Sequence, residues 1–279
     1  MSRHARTVLV TAGASGIGRW IAKGFSAEGA QVHICDSSAA AIAAMAREEP
    51  DITATLADVA QVGDVSRVFE DLNDRYGELD VLINNVGISG PTAAMEDIDI
   101  EAWHETINVN LNSLFYVSRL AIPLLKRSSG QIVNMASNAG LYGCPLRSPY
   151  VAAKWAMIGL TKTLAMELGA HGVRVNAICP GFINTPLADG GDPEATAKAF
   201  GKAQPWPEQG RGDHIAGAAL FLASDDAEFV TGEHIIVDGG LTAAGPELSR
   251  RFPKASARTG RYSGVTKGST GIDPELRRL

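Results

Sequence analysis

Short, almost wholly apolar runs alternate with Ala-rich, helix-periodic segments along most of this 279-residue chain. The apolar runs are TVLVT, QVHICD, ITATLAD, LDVLINN, GQIVNMAS, VRVNAICP and EHIIVDG, seven in all. Between them, Gly18 to Glu28, Val62 to Tyr76, Trp103 to Leu125, Tyr150 to Leu168 and Asp213 to Ala223 repeat apolar positions at three- and four-residue intervals. Strands alternating with helices are joined by right-handed crossovers, which lay the strands parallel and cover both faces of the sheet. A strand buried on both faces needs no polar side, and VLV, VLI and IIV have none. The expected fold class is therefore α/β, a Rossmann-type doubly wound sheet of seven parallel strands with helices on both faces. A chain of 29.3 kDa with 45% hydrophobic residues fills one such core and not two. We expect one domain over residues 1–244.

Two stretches break the alternation. Residues 186–207, PLADGGDPEATAKAFGKAQPWP, set paired glycines and helix-forming alanines between prolines, the composition of a mobile substrate lid. Residues 245–279 are rich in Gly, Ser and Arg, with eight Lys/Arg against three Asp/Glu, and read as a solvated basic tail or an arm on a neighbouring subunit.

The first strand runs straight into Thr11-Ala12-Gly13-Ala14-Ser15-Gly16-Ile17-Gly18 and then a helix. A glycine-rich strand-to-helix turn lets the main chain approach a pyrophosphate, whose charge is met by free N–H groups and the positive end of the helix dipole. Asp36 closes the second strand, eighteen residues beyond Gly18, where a carboxylate accepts hydrogen bonds from the adenosine ribose hydroxyls and repels a 2′-phosphate. Ser15 and Ser37, the positions able to neutralise such a phosphate, carry no charge. The pattern favours NAD(H) over NADP(H).

Of the five tyrosines, Tyr150 alone has lysine four residues on, at Lys154, so the two side chains share a helix face. A phenol is a poor base near neutral pH unless a nearby positive charge stabilises its phenolate.

With the turn, Asp36, the Asn84-Asn85-Val86-Gly87 segment and Tyr150-x-x-x-Lys154, the chain resembles the short-chain dehydrogenase/reductase family over about residues 5 to 241. The resemblance implies a catalytic tetrad of Asn110, Ser137, Tyr150 and Lys154. In it Tyr150 exchanges a proton with the substrate oxygen, Ser137 holds that oxygen, Lys154 also binds the nicotinamide ribose, and Asn110 supports a water-linked proton relay. It implies cofactor contacts from Ala12, Gly13, Ser15, Gly16, Ile17 and Gly18 in the turn. Asp58 and Val59 are implied near the adenine, Asn84, Val86 and Gly87 along the cofactor, and Pro180, Gly181, Ile183 and Thr185 around the carboxamide. Substrate contacts are expected from Ser137, Asn138, Tyr142, Tyr150 and Gly181, with Ser89, Leu141, Cys144 and the lid residues Phe200 and Trp206 nearby. This mostly apolar surround suits a moderately hydrophobic alcohol or ketone, and Arg147 is a candidate anion contact.

Two departures from the family pattern stand in cofactor-binding segments. Ala12 replaces the first glycine of TGxxxGxG, and we expect Gly13 to take up any unusual dihedral there. Val86 replaces the alanine of NNAG.

The expected activity is hydride transfer between NAD(H) and a secondary alcohol or its ketone, on a cyclic, steroidal or polyol substrate. The alternatives are an NADPH-dependent 3-oxoacyl-thioester reductase and a non-catalytic NAD-binding protein. A formal charge of −6 gives no basic face for nucleic acid. Cys35, Cys144 and Cys179 and the scattered histidines make no metal-ligand spacing, so no metal is expected. No run approaches membrane-spanning length and MSRHARTVLV has no leader-like apolar segment, so a cytoplasmic protein is expected. The resemblance implies a homotetramer built on the helices of 103–125 and 150–168.

Overall fold

The computed structural model describes residues 5–185 and 204–243. Met1–Leu241 forms one compact unit, and Thr242–Leu279 is assigned to another, of which only residues 242 and 243 are described. The proposed tail and most of the proposed lid, including Phe200, lie outside the described residues.

Seven strands form one parallel sheet: β1 Thr7–Thr11, β2 Gln31–Asp36, β3 Thr53–Leu56, β4 Val81–Asn84, β5 Gln131–Met135, β6 Arg174–Pro180 and β7 His234–Val237. Their spatial order is β3-β2-β1-β4-β5-β6-β7. Each apolar run noted in the sequence contains one of them, and the doubly wound reading holds. The described helices are α1 Gly16–Ala27, α2 Ala39–Glu48, α3 Val62–Arg75, α4 Ile100–Ile107, α5 Ser113–Ser128, α6 Ser148–Leu168 and α7 Gly212–Ala223.

Successive strand residues face opposite sides, so the sheet builds two cores. Val8, Val10, Ile34 and Ile83 pack with Ile21 and Phe25 of α1 and Ile215 and Leu222 of α7. Leu9, Leu82, Ile132 and Val175 pack on the other side with Leu72 of α3, Leu125 of α5 and Ala165 of α6.

Two helical readings change. The periodic run 103–125 is not one helix: a π-helical turn, Asn108–Asn112, separates α4 from α5. One extra residue per turn leaves the apolar repeat almost intact, which is why periodicity alone misses it. Helix α2 carries a weak apolar stripe, its alanines leaving Met45 as its one buried residue, so periodicity marks it poorly.

Candidate active site

The strand order reverses between β1 and β4, and beyond the carboxyl ends of the strands a cleft opens with room of about 420 Å³. Crevices at such a switch point are where doubly wound sheets bind ligands.

On one side of the cleft the β1–α1 turn contributes Ala12, Ser15, Gly16 and Ile17. Ser15 is the N-cap of α1 but its side chain makes no capping hydrogen bond, and Gly16 takes φ +53°; the first N–H groups of a helix have no intrahelical acceptor. Gly13 and Gly18 lie behind this surface. A Cβ on Gly13 would sit 2.5 Å from Ile34 Cγ2, and one on Gly18 would sit 2.2 Å from the Ala12 carbonyl oxygen.

The expectation that Gly13 absorbs the unusual dihedral is overturned: Ala12 itself has φ +49°, and Gly13 is not among the positive-φ residues. The glycine at 13 answers to space against β2, so the left-handed residue falls one position earlier. An alanine there carries about 1 kcal/mol of strain. Asn85 secures the distorted segment by donating through Nδ2 to the carbonyl oxygens of Thr11 at 3.0 Å and Ala12 at 3.2 Å.

Asp36 is buried at the tip of β2, accepting from the Ala14 N–H at 3.1 Å and the Ser38 N–H at 3.0 Å. A carboxylate has about four acceptor positions, so half remain for hydroxyl donors. The uncapped helix start, the open space beside Gly16 and these unused acceptor positions fit a dinucleotide's pyrophosphate and ribose.

On the opposite side lie Ser137, Asn138, Tyr142, Cys144, Arg147, Tyr150 and Lys154, with Gly87, Ser89, Pro180, Gly181, Ile183 and Thr185 along the rim. Pro149 in the first turn of α6 pre-sets the helix φ and starts it just before Tyr150. Burial pushes the Tyr150 phenol above its ordinary value, while a hydrogen bond with Ser137 and the charge of Arg147 pull it down and Cys144 adds to the rise. Lys154 is buried and its Nζ donates to the Met135 carbonyl oxygen at 2.8 Å; burial lowers its pKa to about 8, opposed by Cys179. The Ser137 Oγ accepts from the Ala139 N–H at 3.1 Å, which aims the hydroxyl. Asn138 Nδ2 is buried with no hydrogen-bond partner among the described residues, as a substrate-facing donor would be.

Asn110 stands in the π-helical turn, fully buried. Its Nδ2 donates to the carbonyl oxygens of Thr106 and Ile88, and its Oδ1 accepts from the Ile88 N–H. It clamps the segment after β4, and a Cβ on Gly87 would lie 2.8 Å from Asn110 Oδ1 and 3.4 Å from Lys154 Nζ. Ser137, Tyr150 and Lys154 thus line one end of the cleft, while Asn110 is buried behind Gly87 and does not line it.

Other expected residues stand apart from it. The Asn84 side chain turns into the interior, donating to Ser118 Oγ at 3.0 Å and Asn134 Oδ1 at 2.9 Å. Val59, Asn84 and Val86 line a tight seam beneath the cleft, and Asp58 accepts from the Ala60 N–H at its own loop. Leu141 packs against the small core cluster with Leu114 and Met157. Trp206 borders a neighbouring hollow with Phe182 and Gly239. The cleft also takes in Asn85 and Phe182, to which sequence reasoning gave no role. The doubled asparagine after β4 was the available signal for Asn85; nothing local marks Phe182.

Residues 11–242 match a family described as Enoyl-(Acyl carrier protein) reductase. The chain belongs to the short-chain dehydrogenase/reductase family. Among its relatives in this family of oxidoreductases, L-fucose dehydrogenase of Bos taurus is 38% identical over 86% of this chain and 90% of that protein. The 3-oxoacyl-(acyl-carrier-protein) reductase FabG of Thermotoga maritima is 36% identical over 86% of this chain and 99% of that protein. A crystal structure of levodione reductase superposes with a TM-score of 0.80 at 34% identity, covering 87% of this chain and 100% of that one. Short-chain dehydrogenases bind NAD or NADP. Among the described residues no helix is long and apolar enough to cross a membrane.

Proposed function

We propose that this protein is an NAD(H)-dependent dehydrogenase of a cyclic secondary alcohol, working reversibly on the alcohol and its ketone. The observation that carries this reading is the phenol of Tyr150, set in the cleft between Ser137 and the buried cation of Lys154. Relatives acting on fucose and levodione support a ring-bearing substrate.

In the cleft a bound nicotinamide supplies or accepts the hydride. The chain's own residues handle the proton and the geometry. Ser137 Oγ donates to the substrate oxygen and orients it. Tyr150 takes the hydroxyl proton during oxidation and returns it during reduction, with Lys154 favouring the phenolate. Asp36 accepts ribose hydroxyls and opposes a 2′-phosphate. The cleft wall of Tyr142, Cys144, Pro180 and Gly181 presents a largely apolar face to a ring. Assembly into a tetramer belongs to the same reading: Phe115 on α5 and Trp155 on α6 are each about half exposed, apolar surface of the kind subunits cover.

The test is a set of initial rates for sugars, alicyclic and steroidal alcohols with NAD and NADP, and for their ketones with each reduced cofactor. Turnover with NAD on a ring-bearing alcohol is the expected result. Turnover confined to NADPH and acetoacetyl thioesters would transfer the protein to the acyl-thioester reductases, the reading favoured by its likeness to FabG.

A further inference from the structure

Two cations stand against the Tyr150 ring: Arg147, the N-cap residue just before α6, and Lys154, one turn beyond the tyrosine along the helix. The Lys154 Nζ is 5.6 Å from the Tyr150 ring centroid, and the Arg147 guanidinium carbon is 5.2 Å from it. We propose that Arg147 is a second positioning cation for Tyr150, one that makes the phenolate accessible at lower pH and ties the loop of residues 89–93 to the helix start. The proposal rests on Tyr150 being the acid/base.

Three features of the arginine are hard to account for otherwise. It is half-buried, and among the described residues no carboxylate pairs with it; its hydrogen bonds go to neutral acceptors, the Ser89 carbonyl oxygen at 2.8 Å and Thr92 Oγ1 at 3.3 Å. Its Nε is buried with no hydrogen-bond partner among the described residues. A half-buried guanidinium held only by neutral acceptors is available to a negative group that forms beside it, and the phenolate is such a group. The preceding residue, Leu146, holds φ +66°, a conformation unfavourable for leucine, while its carbonyl oxygen accepts from the Ala93 N–H at 3.0 Å. Strain of this kind persists where surrounding contacts over-determine it, and here it aims the side chain that follows.

The titratable and charged groups on and around Tyr150 come from several elements, with the Ser137 hydroxyl after β5 beside them. Arg147 comes from the N-cap before α6 and Lys154 from the helix itself, and from the preceding loop come Tyr142 and Cys144. Cys179 of β6 faces Lys154, and Asp238 after β7 acts on Tyr142 and Cys179. Of these, Arg147 is the one whose charge lowers the Tyr150 value alongside the Ser137 hydrogen bond.

Arg147→Gln removes the charge and keeps an amide donor for Ser89; Arg147→Met removes both; Arg147→Lys keeps the charge. The direct readout is an ultraviolet titration of tyrosinate in the cofactor-free protein, with Tyr150 isolated as the difference from Tyr150→Phe, so the result does not depend on knowing the substrate. Arg147→Gln and Arg147→Met are both expected to move the Tyr150 titration up by about one pH unit, and Arg147→Lys to restore most of it. Alcohol oxidation should fall about tenfold on the acid side of the profile and converge with wild type at alkaline pH.

A shift seen in Arg147→Met but not in Arg147→Gln would mean the loop tie matters and the charge does not, overturning the proposal. An unmoved titration with a raised KM for anionic substrates alone would make Arg147 a substrate hook instead. An unmoved tyrosinate signal in all three variants, or no Tyr150-dependent turnover at all, separates failure of this proposal from failure of the acid/base reading.

Discussion

Lys154 donates its one short hydrogen bond to the main-chain oxygen of Met135 at 2.8 Å, so a buried ammonium on α6 is fastened to the end of β5. The contact places the charge beside Tyr150, and burial makes that charge expensive, lowering the Lys154 pKa to about 8. Because the folded value lies below the unfolded one, the unfolded chain holds more protons across the interval, and stability rises with pH through it. Lys154→Met should abolish turnover with NAD, yet in the cofactor-free protein it should stabilise the fold near pH 7. That advantage should shrink by about 2 kcal/mol between about pH 7 and pH 9.5 as the wild-type lysine discharges. Urea denaturation at the two pH values measures it; an advantage independent of pH would mean the lysine is not charged in the folded protein at pH 7.

Tyr150→Phe removes the proton carrier and keeps the ring between Arg147 and Lys154. Turnover should drop by about a thousandfold or more, while nucleotide affinity stays within a few-fold. Steady-state rates and nucleotide titration check the two halves separately, and appreciable residual turnover would remove Tyr150 from its role.

The β1–α1 turn makes opposite predictions for adjacent residues. Ala12→Gly relieves a left-handed alanine and should stabilise the protein by up to about 1 kcal/mol, less the entropy that glycine adds to the unfolded chain. Gly13→Ala brings a methyl to 2.5 Å from Ile34 Cγ2 and should cost about 1–3 kcal/mol. Denaturant unfolding of both variants compares them directly; equal effects would show the turn to be more adaptable than its packing indicates.

Asp36 serves both the protein and, on our reading, the cofactor. Asp36→Ala should weaken binding of NAD relative to NADP by about tenfold or more, because a 2′-phosphate no longer meets a fixed negative charge. It should also lower stability modestly, since the N–H groups of Ala14 and Ser38 lose their acceptor. Dissociation constants for the two nucleotides decide the first point, and unchanged selectivity would exclude Asp36 as the discriminator.

Far from the cleft, His33 lies buried between Thr53 Oγ1 at 2.7 Å and Thr55 Oγ1 at 2.9 Å. Burial, assisted by the charge of Arg75, lowers its pKa to about 4, against the pull of Asp71. The folded protein keeps His33 neutral where the unfolded chain protonates it near 6.5, so its contribution is whole above that value and is lost as pH falls towards 4. Wild type should lose about 2 kcal/mol from this residue between about pH 7 and pH 5, and His33→Gln should not. Parallel acid dependence in the two proteins would assign acid sensitivity to other groups.

The sequence by itself determined the seven strands and the parallel sheet, and it brought Tyr150 and Lys154 one helical turn apart. Strand burial is written in contiguous apolar residues, and Tyr150 and Lys154 meet across one helical turn whatever else the chain does. Arg147 stands at the N-cap just before that helix, and its setting was decided by the tertiary structure, because its acceptors at residues 89 and 92 arrive from a distant loop. The same holds for Asn84, whose side chain is drawn inward by Ser118 and Asn134 on two other elements, and for Ala12, whose left-handed dihedral goes with the space Ile34 denies a side chain at position 13. Periodicity and local motifs report what neighbours in the chain do to one another. Which side chain is left to face the cleft depends on partners that only folding brings within reach.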